Sequence, residues 1–134
     1  MQFLVDKGVI DRWMERTMYT TFLASAFRSI RFGVNEAHGR GIAIQLNTLL
    51  DAAAFVARPD GTFSVDTPKI KDAVAALTRE IMTLQAEGNY AKAKDMIEKL
   101  AVVRPIVKQA LDKLGQVPVD IEPRFVTAAE LTAK

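Results

Sequence analysis

The chain has 134 residues, of which 49% are hydrophobic and 25% charged, with a formal net charge of +2 at pH 7, one histidine and no cysteine. That length and apolar content give one globular domain with a real core, and the cysteine count excludes a disulfide framework and thiolate zinc sites. Bases such as Arg12, Arg16, Arg28 and Arg31 stand mixed with acids, and no basic run interleaves with aromatics, so the charge pattern does not point to nucleic acid.

At the N-terminus, MQFLVDKGVID meets Asp6 and Lys7 too early for the apolar core of a signal peptide. The longest weakly polar run, residues 18–27, is far shorter than a membrane span and stops at Arg28. These features and the missing cysteines lead to the expectation of a cytoplasmic protein with no membrane partner.

From residue 9 to about 32, apolar residues step by four through Ile10, Met14, Met18, Phe22, Ala26 and Ile30, widened by Trp13, Leu23 and Phe27. This spacing predicts a long first helix buried on more than one side. Gly33 stops it, and Asn35 followed by Glu36 restarts a helix expected over residues 35–56. Within FVARPDGTFSVD, Pro59, Asp60 and Gly61 supply turn chemistry between two β-prone runs, which predicts a small hairpin over 57–66.

Thr67 is then read as the cap of a helix whose first position is Pro68, and Ile70, Val74, Leu77, Ile81 and Leu84 step as a packing seam does. Gly88 and Asn89 end that helix and cap the next, whose apolar positions are Ala93, Met96, Ile97, Leu100 and Val103. Residues 68–103 therefore read as an antiparallel helical hairpin. A short helix to residue 114 follows Pro105, and the tail from 115 to 134, with Val117, Val119 and Ile121 between prolines, reads as extended chain. The expected fold is mainly α: a single-domain helical bundle with one small β-hairpin between the second and third long helices.

The inventory of reactive groups is small. No serine stands in a nucleophile-elbow context, HExxH spacing is absent, and one histidine with scattered acids makes a zinc site built from this chain alone improbable. What stands out is NEAHGRG, residues 35–41, which holds the single histidine. With Asn35 as cap, His38 takes the third helical position, at the positive end of the helix, where a neutral, hydrogen-bonding imidazole is favoured. Gly39 and Gly41 each cost a helix roughly 1 kcal/mol against alanine, which points to close approach of backbone or ligand. The alternative is structural: the glycines relieve crowding and His38 bonds a neighbouring carbonyl.

The stretch FGVNEAHGRGIAIQLNTLLDAAAF, a hairpin, TPKIKDAVAALTREIMTLQAEGNYAKAKDMIEKLAVV and a last short helix resemble the C-terminal part of the catalytic lobe of the dipeptidyl-peptidase III family of zinc metallopeptidases. The resemblance runs from the first residues to about residue 114. Its most specific elements are the Ala37-His38 pair opening a long helix, Leu49-Leu50-Asp51 before a hairpin, and the turn Glu87-Gly88-Asn89-Tyr90. MQFLVDKGVI resembles the segment that follows the family's third zinc ligand.

The resemblance implies a peptide substrate and zinc in the complete enzyme, held by an H-E-x-x-x-H helix and an E-E-C-R-A-like helix. Neither motif occurs here, so no metal ligand is assigned to this chain. It also implies that His38 hydrogen-bonds the substrate or the developing oxyanion. Many family members carry an arginine four residues after this histidine, where this chain has Ile42; the candidate substrate-binding residue nearby is Arg40, about 200° from the position two before it on a helix. Arg124 is the candidate for a further substrate-contacting arginine, with its equivalence left open.

Three readings remain at the level of sequence. The chain can be part of a peptidase, inactive without its zinc-binding segment. It can be a free-standing interaction module whose exposed apolar face seeks that segment or a second copy, or a small-molecule binding domain anchored by His38.

Overall fold

In a computed structural model, which describes residues 2–117 and Thr132, the order of elements is α1 (Gln2–Asp6), α2 (Met14–Ile30), α3 (Ala37–Asp51), β1 (Phe55–Ala57), β2 (Phe63–Val65), α4 (Thr67–Glu87), α5 (Tyr90–Leu100) and α6 (Pro105–Lys113), closed by a 3-10 turn over Leu114–Gln116. The fold is mainly α with one antiparallel hairpin between α3 and α4, as its periodicity predicts. Arg124 and most of the expected extended tail lie outside the described residues; the part that is described begins as the 3-10 turn rather than as extended chain.

The expected single first helix is two. Gly8, at φ +71°, takes the left-handed conformation that lets its own N–H donate to the Val5 carbonyl and the Val9 N–H to that of Leu4, which terminates α1. Residues 8–13 form turns, and α2 begins only at Met14. The apolar stripe is correspondingly shorter than expected: Leu23, Ala26, Phe27 and Ile30 are buried, whereas Trp13 is 72% exposed.

The His-bearing helix is also shorter at both ends. Glu36, not Asn35, is its N-cap, with extended backbone (φ −87°, ψ 152°) and no side-chain capping bond, so His38 falls at the second helical position. At the other end, the helix stops at Asp51 because Ala53 adopts φ +50°. Its N–H donates to the Leu50 carbonyl and the Ala54 N–H to that of Leu49, the paired closure that glycine ordinarily supplies. Ala54 and Phe55, expected at the helix end, instead lead into and open the first strand, both fully buried.

The hairpin pairs Phe55 with Val65, Val56 with Ser64 and Ala57 with Phe63. Its loop is a turn closed by the Gly61 N–H on the Arg58 carbonyl, with Gly61 at φ +80°. Asp60 Oδ1 accepts from both the backbone and the hydroxyl of Thr62. Asp66 rather than Thr67 caps α4, accepting from the Lys69 N–H at 3.2 Å; Thr67 and Pro68 take the first two helical positions. Gly88, at φ +61°, and Asn89, whose side chain accepts from Lys92 N–H, form the expected stop and start between α4 and α5.

Helix α3 is the hub, touching α2, α4, α5 and β1. Its Ala43, Leu46 and Leu49 meet Tyr19, Leu23, Phe27 and Ile30 of α2, Phe55 of β1, Ile70 of α4 and Val107 of α6 in one buried cluster. Phe27 stands edge-on to Phe63 at 4.7 Å between ring centres, which ties α2 to the hairpin. This packing fixes the first turn of α3 against the last turns of α2.

Candidate functional site

Where α2 ends and α3 begins, the chain reverses through Arg31, Phe32, Gly33 and Val34. Gly33 has φ +97°, and its N–H donates to the Ile30 carbonyl at 2.8 Å. Its own carbonyl packs against α3 so closely that a Cβ on Gly39 would collide with it. Gly39 is buried for that reason, and its place in NEAHGRG is explained by approach of backbone rather than of ligand. Gly41 has open space where a side chain would be.

Beside this joint lies a groove of about 510 Å³. One wall comes from α2, with Ser25, Arg28 and Ser29; the other comes from the start of α3, with Glu36, His38 and Gly39, and Phe32 and Gly33 lie at the reversal. The imidazole of His38 is exposed and makes no hydrogen bond among the described residues, so it is available to a molecule in the groove. The first turn of α3 adds backbone N–H groups that no side chain caps.

The structure does not bring Arg40 to this groove. Its Nε donates to the Val34 carbonyl at 3.2 Å, and its side chain is no part of the groove walls. Sequence reasoning, which considered the serines only as nucleophiles, missed Ser25 and Ser29 as walls and missed Phe32 altogether. A partial signal was present: Ser25 and Ser29 lie one turn apart on α2, off its buried face, and Phe32 follows at the reversal just past the helix end. Neither serine hydroxyl bonds His38, so no nucleophile–base pair is assembled.

The donor set does not fit zinc. Among the described residues no three histidine or carboxylate side chains converge, and the chain has a single histidine and no cysteine. Among the described residues no helix is long and apolar enough to cross a membrane.

No family model matches the chain. A structure of dipeptidyl-peptidase III from Corallococcus sp. strain EGB superimposes on 97% of the chain with a TM-score of 0.87 at 58% sequence identity. Over nearly its whole length the chain is similar to part of dipeptidyl-peptidase III. DPP III from Caldithrix abyssi matches the same share of it with the same TM-score at 41% identity. The chain spans 24% and 25% of the length of those two proteins. It is also 45% identical over 133 residues to Nudix hydrolase 3 of Arabidopsis thaliana, of which it covers 17%. The plant protein's name describes a chain several times longer than the part that is matched.

Proposed function

We propose that this chain is the substrate-side portion of a zinc-dependent peptidase of the dipeptidyl-peptidase III type, supplying a hydrogen-bonding histidine and not the metal, and inactive by itself. The observation that carries the reading is the conjunction of 58% identity over nearly the whole chain with an unpartnered His38 at the edge of a groove. Because the donor set here does not fit zinc, the metal belongs to the part of the peptidase that this segment does not span. A peptide lying in the groove presents its carbonyl oxygen to the His38 N–H. That bond strengthens as negative charge develops on the oxygen, so it lowers the barrier more than it tightens ground-state binding. The segment's other contribution is to hold the imidazole at a fixed height through the contact between Gly33 and Gly39. A reducing, cytoplasmic setting accords with a chain free of cysteine.

The test places these residues in the Corallococcus enzyme in exchange for its matching segment. His38→Ala is expected to lower kcat by roughly a hundredfold with metal content unchanged, the signature of a lost oxyanion donor. In the isolated chain the same change should alter stability by less than about 0.5 kcal/mol, since the residue is exposed and unbonded. A loss of about 1–3 kcal/mol in a urea melt would make NEAHGRG a structural turn. Stoichiometric zinc on the isolated chain with chelator-sensitive hydrolysis of dipeptidyl naphthylamides would overturn the inactive-alone reading.

A second reading, a free-standing interaction module, is favoured by one feature: Phe3, Val9 and Trp13 are 67%, 71% and 72% exposed. In the peptidase reading that apolar surface packs on the remaining polypeptide. In the module reading it takes a partner protein or a second copy.

A further inference from the structure

We propose that Phe32 is a specificity-determining residue of the groove, its ring forming the wall against which a bulky apolar side chain of the peptide packs, next to the bond that His38 addresses. This rests on the peptidase reading of the groove. The argument starts from the backbone joint. Phe32 directly precedes Gly33 and His38 directly precedes Gly39, and the backbones of Gly33 and Gly39 are in contact. The two side chains therefore flank one close-packed junction and line the same 510 Å³ hollow. Because Gly33 needs its left-handed φ and Gly39 has no room for a Cβ, the backbone positions from which ring and imidazole extend are held close together by main chain.

The chemistry of the walls is uneven. Ser25, Arg28, Ser29, Glu36 and His38 are polar, and Phe32 is the only large apolar side chain among the groove residues. It is 72% exposed although α2 has a core to fill and sends Leu23, Phe27 and Ile30 into it. A single exposed apolar residue on a convex surface is ordinary. Here it lies in a concavity with polar groups that can orient a peptide, the composition by which binding sites combine an apolar contact with directional bonds. An aromatic ring offers a bulky aliphatic or aromatic side chain a face or edge to pack on and offers glycine or alanine almost nothing. The ring thus discriminates by size and apolarity while His38 acts on the backbone common to all peptides.

The experiment uses the intact Corallococcus enzyme carrying this segment, and peptides that differ only in the residues flanking the cleaved bond: phenylalanine, leucine, alanine or glycine. Phe32→Ala is expected to reduce kcat/KM for the phenylalanine and leucine peptides about tenfold, mainly through KM, and to change it less than twofold for alanine and glycine. Phe32→Leu should recover much of the loss. Tyr90→Ala, at an exposed ring on the first turn of α5, should leave the selectivity unchanged. An equal loss across the series, or a lowered melting temperature or metal content in Phe32→Ala, would mean that the ring packs on neighbouring polypeptide and would overturn the proposal. Unchanged selectivity beside a His38→Ala enzyme that has lost kcat overturns the role of Phe32 alone. A chimera that melts cooperatively and retains metal but hydrolyses nothing overturns the peptidase reading and this inference with it.

Discussion

Arg104 and Asp51, 53 residues apart, join in a two-pronged ion pair in which Nη2 donates to Oδ2 at 2.7 Å and Nη1 donates to Oδ1. The pair ties the last residue of the His-bearing helix to the N-cap of α6. The guanidinium holds the Asp51 carboxyl below the usual carboxylate range through its hydrogen bonds, partly opposed by burial, and the carboxylate raises Arg104 in turn. A carboxyl lowered in the folded state contributes stability above its unfolded value, near pH 4, and loses it as pH falls through the folded value. Since the Asp51 side chain is 55% exposed, the pair is worth only about 0.5–1 kcal/mol. Arg104→Met should therefore lower the urea midpoint at pH 7 and make little difference at about pH 2, where the carboxyl is protonated. The same penalty at both pH values would contradict the pairing.

Among the described residues Asn47 is the one buried polar side chain of the core, 1% exposed, and its Nδ2 donates to the carbonyls of Leu100 and Val102 at 2.8 and 2.9 Å. It fastens the end of α5 to α3. Replacement by alanine strands two carbonyls and opens a small void, for a loss of about 2–3 kcal/mol. Asn47→Asp should cost more at pH 7, where a buried carboxylate would face two carbonyl oxygens, and less at about pH 4, where a protonated acid can donate to one of them. Chemical denaturation of the three proteins at the two pH values would decide it; an aspartate variant insensitive to pH would count against this account.

Two glycines two residues apart should respond in opposite directions. Gly39→Ala places a Cβ against the Gly33 carbonyl, which is backbone and yields poorly, so a destabilisation of about 1–3 kcal/mol is expected. Gly41→Ala meets nothing within 4 Å and sits inside the helix, where alanine is favoured by about 0.5–1 kcal/mol. Thermal melts of the two single variants give the comparison. Similar shifts for both would show that the contact between the helix start and Gly33 is not as tight as described.

Trp13 is the chain's single tryptophan and its ring stands 72% in solvent, with Nε1 donating to Asp11. At low protein concentration its fluorescence should match that of a water-exposed indole and be quenched by iodide. If the apolar surface around Phe3, Val9 and Trp13 associates, raising the concentration to tens of micromolar should shift the emission to the blue as sedimentation shows larger species. Trp13→Ser should weaken the association. Monomeric behaviour throughout, with no dye bound to apolar surface, would remove the self-association route.

Local chemistry wrote most of this fold into the sequence. Period-four stepping marks α2 although it begins at Ile10, ahead of the helix's start at Met14, the Pro59-Asp60-Gly61 turn sets the hairpin, the seam from Ile70 to Leu84 defines α4, and Gly88 with Asn89 divides α4 from α5. Each is a signal carried within a few residues, by side-chain period or by a backbone that only certain residues tolerate. Nothing so local announces the end of α3, because Ala53 takes the left-handed conformation without being glycine while Ala54 and Phe55 are drawn into the core as the first strand begins. Glu36 caps α3 in preference to Asn35 although its side chain makes no capping bond, a choice that propensity does not contain. His38 was legible as the lone histidine at a helix start, but the groove around it was not. Ser25, Ser29 and Phe32 become its wall only because Gly33 and Gly39 let two backbones touch, a contact that exists only once α2 and α3 have packed on their shared core.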